Sequence, residues 1–347
     1  MITKIKASIL RNRGFTGAFV LFAILFLSYQ SMHPRGFSTA VLVQNSNEVV
    51  ALAFVAIAQT IPVLMGGLDL SVGAVMTLTN TVASHVVTGS PLQMLLGAVV
   101  TLAVGAGFGA MNGLIVVYGR IQPIIATLAT GAIAIGLALI LRPSPGGDID
   151  GDLNWAATNA VFDLAETYGF AENGNAAWLQ PFVNIPVPLL ILLVVVLAVW
   201  VPFKRTVTCR TIYAIGSAES AAHLSGLPIA RAKIAAFTLA GFFAACGGLY
   251  LAVQTSSGNA DITQAGTYTL NSIASVVLGG TSLMGGSGGA IGSMIGAFIL
   301  RTISFYFRIR SIDPLLQPLI EGLVLLVAVS LGALRTFRVK NKLDLFR

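Results

Sequence analysis

The chain has 347 residues, 56% hydrophobic and 10% charged, with a formal net charge of +7. A soluble domain carries about 25% charged residues, so this chain has too few polar side chains to cover its own surface, and a soluble globular protein is excluded. The positive charge gathers at the ends of apolar stretches, so membrane topology accounts for it better than nucleic acid does.

Apolar stretches of about 20 residues recur along the chain, which points to spanning helices rather than a barrel. The N-terminus carries Lys4, Lys6, Arg11 and Arg13 before an apolar run from Phe15 to Tyr29. A secretory signal has the same order, but no small-x-small cleavage site follows here, so the run reads as a retained first span. The expectation is an all-α polytopic protein of about ten spans: 15–32, 41–65, 72–88, 93–117, 123–141, 185–203, 232–253, 270–284, 290–307 and 315–334. These make one transmembrane domain, 15–334, between basic tails 1–14 and 335–347, with both termini in the cytoplasm.

The basic residues fix the orientation of that order. Arg120, Lys204, Arg205, Arg210, Arg231 and Lys233 fall on the expected cytoplasmic side with the two tails. Only Arg35, Arg142, Arg308 and Arg310 fall opposite, with Arg301 inside a span near them. That asymmetry matches the positive-inside rule.

From Val49 to Gly119 the only formally charged residue is Asp69, in the stretch GGLDLSVG at 66–73. Pro62, Gly66 and Gly67 are poor helix residues, so the spacing predicts a helix break there. Asp69 or Ser71 can cap a helix beginning near Val72 and satisfy N–H groups that lipid cannot. Direct contact with cargo is the competing role. A second stretch, GGTSLMGG at 279–286, shares the form GGxxLxxG. Paired Gly-interrupted segments in two halves of a transporter point to broken helices around a path. The candidates for break and path are Gly66, Gly67, Asp69, Ser71, Gly73, Gly279, Gly280 and Ser282.

Other polar groups sit in or beside spans. Gln59, Asn80, Asn112, Gln254 and Asn271 suit the hydroxyls of a weakly held polar cargo, and equally suit bonds to neighbouring helices. Gly105, Gly109 and Gly113 form GxxxGxxxG, and Gly288, Gly292 and Gly296 repeat it. Such faces let backbones approach closely, either within one subunit or between two.

An acidic outer loop spans 142–184, with Asp148, Asp150, Asp152, Asp163, Glu166 and Glu172 against Arg142. Asp152 is placed to cap a helix over 153–168 that lies on the membrane or meets an external partner. A cytoplasmic loop spans 204–231. Within it, Ser217 can be an N-cap, Gly226 a left-handed helix stop and Pro228 a barrier to continuation. Glu219 at the start of that short helix suits the helix dipole. It can serve as a peg for a partner's groove or as an ordinary loop.

Catalytic motifs are scarce. No lysine follows a glycine, so no Walker A loop exists, and HExxH and CxxC are absent. His33, His85 and His223 fall in three segments, and Cys209 and Cys246 read as two free thiols. Asp69, Glu321 and Arg301 are a poor inventory for a proton or sodium relay, with Glu321 expected to sit shallow. The expectation is therefore not an enzyme, and its energy source belongs to a partner.

GGLDLSVG, the later VVLGGTSLMGG and the loop ending LSGL together resemble the permease subunits of bacterial ABC importers. The similar branch is the ribose-type monosaccharide permeases of the branched-chain amino acid and sugar permease family. The resemblance implies an inner-membrane protein, among membrane lipid, that pairs with a second permease subunit. It also implies two cytoplasmic ATPases, which bind ATP and Mg, and a periplasmic sugar-binding protein. The coupling helix would comprise Ser217, Glu219, Ser220, Ala221, Ala222, His223, Leu224 and Ser225, ending at Gly226. The family's Glu-Ala-Ala is here Glu219-Ser220-Ala221, His223 stands where a basic residue is frequent, and the acidic loop is longer than usual. Other small polar cargoes (a nucleoside, an autoinducer-like furanose, a polyol) fit the same class, and a gradient-driven carrier is the alternative outside it.

Overall fold

The computed structural model describes residues 13–167, 169, 182, 184–313, 316, 319–324, 326, 327 and 330. Their helices are α1 (Arg13–Met32), α2 (Thr39–Leu64), α3 (Val72–Val86), α4 (Pro91–Tyr118), α5 (Pro123–Leu141), α6 (Gly151–Thr158) and α7 (Val161–Thr167). They continue as α8 (Val187–Lys204), α9 (Val207–Leu224), α10 (Ile229–Thr255), α11 (Ile262–Leu278) and α12 (Ala290–Ile309). No strand occurs among the described residues, only two isolated bridges, Gly146 with Gly258 and Ala160 with Pro186.

Seven helices among the described residues are long and apolar enough to cross a membrane: α1, α2, α4, α5, α8, α10 and α12. The expectation of about ten spans is corrected by this. The segments 72–88 and 270–284 are not spans of their own. The first coincides closely with α3, of 15 residues, and the second takes in the end of α11, of 17 residues, and part of the turn after it. At 1.5 Å per residue these reach only about 22 and 26 Å, short of a hydrocarbon core of about 30 Å. Both carry polar side chains that protein, not lipid, surrounds: Thr79, Asn80, Thr81, Ser272 and Ser275 are all buried. Half of span 315–334 lies outside the described residues, and 319–324 are helical. The tails at 1–12 and 331–347 lie outside them too.

The centre of the bundle is α2, whose apolar window is 89% buried. Its neighbours α10, α11 and α12 bury Phe54, Ile57, Ile61, Phe243 and Leu300 with it in one cluster. Gly105, Gly109 and Gly113 of α4 form a seam against α10 of the same chain. A Cβ on Gly109 would stand 2.1 Å from the Phe237 carbonyl oxygen, and one on Gly105 would stand 2.6 Å from that of Gly241. The second glycine series is a seam only in part: Gly296 faces the Ser275 carbonyl and Gly292 that of Gly279, while Gly288 lies in a turn at φ +119. Both sets therefore serve packing inside one subunit.

The outer loop forms two short helices instead of the single one expected over 153–168. Asp150, not Asp152, caps α6, accepting from Asp152 N at 2.9 Å and Leu153 N at 3.1 Å. Asn154 ties α6 to the end of α10 by donating to the carbonyls of Val253 (2.6 Å) and Gln254 (2.9 Å). Glu48 and Arg308 form an ion pair between α2 and α12. Residues 168 and 170–181, with Glu172, lie outside the described set.

Candidate functional site

Three helix stops define the site, and all three use the same backbone device. After α2, Gly66 stands at φ +77 and donates to Val63 O (2.9 Å), while Gly67 donates to Pro62 O (3.1 Å). After α11, Gly280 stands at φ +80 and donates to Val277 O (2.9 Å), while Thr281 donates to Val276 O (3.1 Å). After α9, Gly226 stands at φ +72 and donates to His223 O (3.0 Å), while Leu227 donates to Ala222 O (3.3 Å). Each is a Schellman stop, in which a left-handed residue returns two N–H groups to the last carbonyls of the helix. The geometry pairs Gly66 with Gly280, one position away from the pairing of Gly66 with Gly279 that GGxxLxxG gives. Pro62 does not break α2, which continues to Leu64.

The stop of α2, the turn that follows α11 and the end of α9's first part meet. Leu64 O, one of the carbonyls left open at the end of α2, accepts from Gly286 N at 3.0 Å. Gly216 lies against both: a Cβ there would be 2.0 Å from Leu64 O and 2.4 Å from Gly286 N. A Cβ on Gly285 would be 2.7 Å from Gly66 N and 2.8 Å from the Gly216 Cα. Three chain segments thus touch backbone to backbone where no side chain fits. Beside them, the Tyr213 hydroxyl donates to Gly288 O at 2.8 Å. Burial pushes the Tyr213 phenol up to about 12, so it keeps the donated proton. The turn 279–289 is closed by Ser282 N donating to Ser287 O (3.0 Å), with the Ser282 hydroxyl accepting from Met284 N (3.2 Å).

The coupling segment follows directly. α9 is interrupted at Ala218, whose backbone is extended (φ −165, ψ 102), so the short helix proper starts at Glu219. Ser217 is not its cap: the Ser217 hydroxyl donates back to Tyr213 O at 3.0 Å. Ala218 takes the conformation expected of Ser217. Glu219, Ser220, His223 and Leu224 are exposed, whereas Ala222 is buried beneath them. Ala221 O accepts from both N and Oγ of Ser225 (3.0 and 2.8 Å). Glu219 reaches Lys233 at the start of α10, at 2.5 Å.

Asp69 sits 2% exposed at the head of α3. One of its oxygens accepts from Ser71 N (2.8 Å) and from the Ser71 hydroxyl (2.6 Å). Ser71 occupies the N-cap position, but its side chain makes no bond to the helix. Asn112 of α4 donates to the Ser71 hydroxyl at 2.8 Å. Two more N–H groups around the head of α3 find partners on neighbouring helices: Leu70 N donates to Thr127 of α5 (2.9 Å) and Gly73 N to Thr269 of α11 (3.1 Å). Gly73 also lets α11 approach, since a Cβ would stand 2.0 Å from Ala265 O.

The remaining candidates are scattered. Asn80 receives Asn259 N at 2.8 Å, and Asn271 donates to Glu321 at 2.8 Å. Gln59 is fully buried, with no side-chain partner among the described residues, and Gln254 is half-buried. Glu321 is buried, 7% exposed, and also accepts from Ser304 at 3.2 Å. The sequence reading missed Tyr213, Gly216, Gly285 and Gly286 as parts of one site. Their signal was a run of small residues on two loops, with nothing to say that the loops meet.

The family model "Branched-chain amino acid transport system / permease component" matches residues 41–329. The chain belongs to that permease family. It is 32% identical to the ribose import permease protein RbsC of Escherichia coli (strain K12), over 93% of this chain and 94% of that one. It is 33% identical to the protein of the same name from Bacillus subtilis, over 91% of each. The fructose import permease protein FruG of Bifidobacterium longum is 29% identical over 90% of this chain and 88% of that one. No solved structure matches the chain. As a permease component with seven long apolar helices among the described residues, it is a multi-pass inner-membrane transport subunit and not an enzyme.

Proposed function

We propose that the chain is the membrane subunit of an ATP-binding-cassette importer for a monosaccharide of the ribose class. A separate ATPase drives it and binds ATP with its Mg. Its assembly comprises a second permease subunit, two cytoplasmic ATPases and an extracytoplasmic sugar-binding protein. Relatives named for ribose import, similar over nearly their whole length, support the cargo. Pentose or hexose is the class, and the relative named for fructose import keeps the hexose alternative open.

The observation that carries the coupling role is the junction behind Glu219–Leu224. A short, exposed helix offers Glu219, Ser220, His223 and Leu224 to a partner. Gly216, two residues before the extended Ala218, touches the end of α2 at Leu64 and the turn after α11 at Gly285 and Gly286. A push on the short helix reaches the end of α2 and the turn after α11 through Ser217 and the extended Ala218. The ATPase shifts the permease between states only through contacts that differ between those states. In this reading the Asp69–Ser71–Asn112 network holds the head of α3 beside the path.

The test is Glu219→Lys beside Lys233→Gln in the assembled importer. Both break the exposed Glu219–Lys233 pair, worth about 0–1 kcal/mol to the fold, but only the first reverses charge on the docking face. Glu219→Lys is expected to release the ATPase and stop ATP-driven uptake, and Lys233→Gln to leave both near normal. Uptake and ATPase recovery unchanged in Glu219→Lys would count against the docking role.

A further inference from the structure

At the end of the bundle that carries the coupling segment, a cavity of about 960 Å³ opens between the α4–α5 turn, the coupling segment and the start of α10. Val116, Val117, Ile121 and Phe237 form an apolar wall, and Arg120, Arg231, Lys233 and His223 line it as well. Its one carboxylate, Glu219, is taken by Lys233. Arg120 and Arg231 have no ion-pair partner among the described residues. The cavity therefore presents unmatched positive charge over an apolar floor.

Arg120 adds an independent sign. It stands at φ +52, in the left-handed position after α4. Gly66, Gly226 and Gly280 fill the same position after their helices. Here the glycine, Gly119, comes one residue early, and an arginine takes the conformation that side chains rarely adopt. Ser256 and Ser311 stand at positive φ at the ends of α10 and α12, and Arg120 is the charged one of these three non-glycine residues.

We propose that this cavity holds the headgroup of an anionic phospholipid from the surrounding bilayer. Its phosphate lies between Arg120 and Arg231, and acyl chain follows Val116, Val117 and Ile121. Lipid is the occupant that fits both surfaces. The apolar wall leads onto the exposed start of α5, where Ile121, Ile124 and Ile125 are 41, 45 and 59% exposed. Basic pockets at this membrane face suit phospholipid headgroups. The volume lies at the upper end of the roughly 300–1,000 Å³ typical of small-molecule sites, room for a headgroup and the start of a chain.

The test uses the purified importer with its ATPase partner, delipidated and titrated with phosphatidylglycerol or phosphatidylcholine of equal chain length. Retained lipid is counted by native mass spectrometry. Phosphatidylglycerol is expected to be preferred, with Arg120→Gly and Arg231→Gln each lowering that preference about fivefold, the effect of one basic residue near an anionic surface. Arg120→Gly also relieves the left-handed strain, so its thermal midpoint is expected to equal or exceed that of the parent. Arg120→Asn tolerates the same backbone and replaces it if the glycine variant folds poorly. Equal retention of both lipids by the parent, or unchanged preference in the double variant, overturns the proposal. Displacement of the lipid by millimolar inorganic phosphate overturns it in favour of a free-anion site. Release of the ATPase by the double variant with lipid retention intact overturns it in favour of an acidic protein segment.

Discussion

Asp69 spends one oxygen on two donors of a single residue, the N–H and hydroxyl of Ser71. An asparagine carbonyl can accept both, whereas a leucine accepts neither. Asp69→Asn is therefore expected to assemble and transport, and Asp69→Leu to lose about 1–3 kcal/mol from donors buried without a partner. Thermal melts of the two variants with sugar uptake check this. An asparagine variant that assembles but cannot transport would show that the charge itself matters. The sequence announced this residue through its isolation among apolar neighbours. It did not announce Thr127, Asn112 or Thr269, which complete the head of α3 from other helices. A threonine or asparagine in an apolar span looks the same whether it bonds its own turn or a distant one.

At the scale of elements, the coupling segment divides into what local chemistry sets and what packing sets. Gly226 and Pro228 were legible because a left-handed stop and a ring that blocks continuation act within a few residues. The start was misjudged by one residue. Ser217 has the side chain of a cap, but Gly216 must lie flat against Leu64 O and Gly286 N, and the break falls at Ala218. The same reason hid the pairing of Gly66 with Gly280, since backbone hydrogen bonds decide it and not the glycine pattern. The junction makes its own prediction. Tyr213→Phe removes one hydrogen bond to Gly288 O, worth about 1 kcal/mol, and leaves the fold standing. It is expected to keep ATP hydrolysis while lowering sugar carried per ATP. An unchanged ratio would remove Tyr213 from the coupling route. Gly216→Ala overpacks the junction, at about 1–3 kcal/mol, and is expected to lose uptake while the docking face with Glu219 is unchanged.

For the whole molecule, composition was enough to place the chain in a membrane as helices, because a surface this apolar has no other home. It was not enough to count the spans. Hydropathy reads α3 and α11 as it reads α2, yet each is short and polar in ways that only surrounding helices tolerate. The segment leading into α3 and the turn leaving α11 both lie beside Gly216, just ahead of the coupling segment. The central claim is that work enters through a partner ATPase and not through an ion gradient. The most direct measurement is sugar uptake by liposomes holding the purified chain, with and without its ATPase, binding protein and ATP. The account predicts uptake only with all three partners present and none under a proton gradient alone. Gradient-driven uptake by the chain without the ATPase would contradict it.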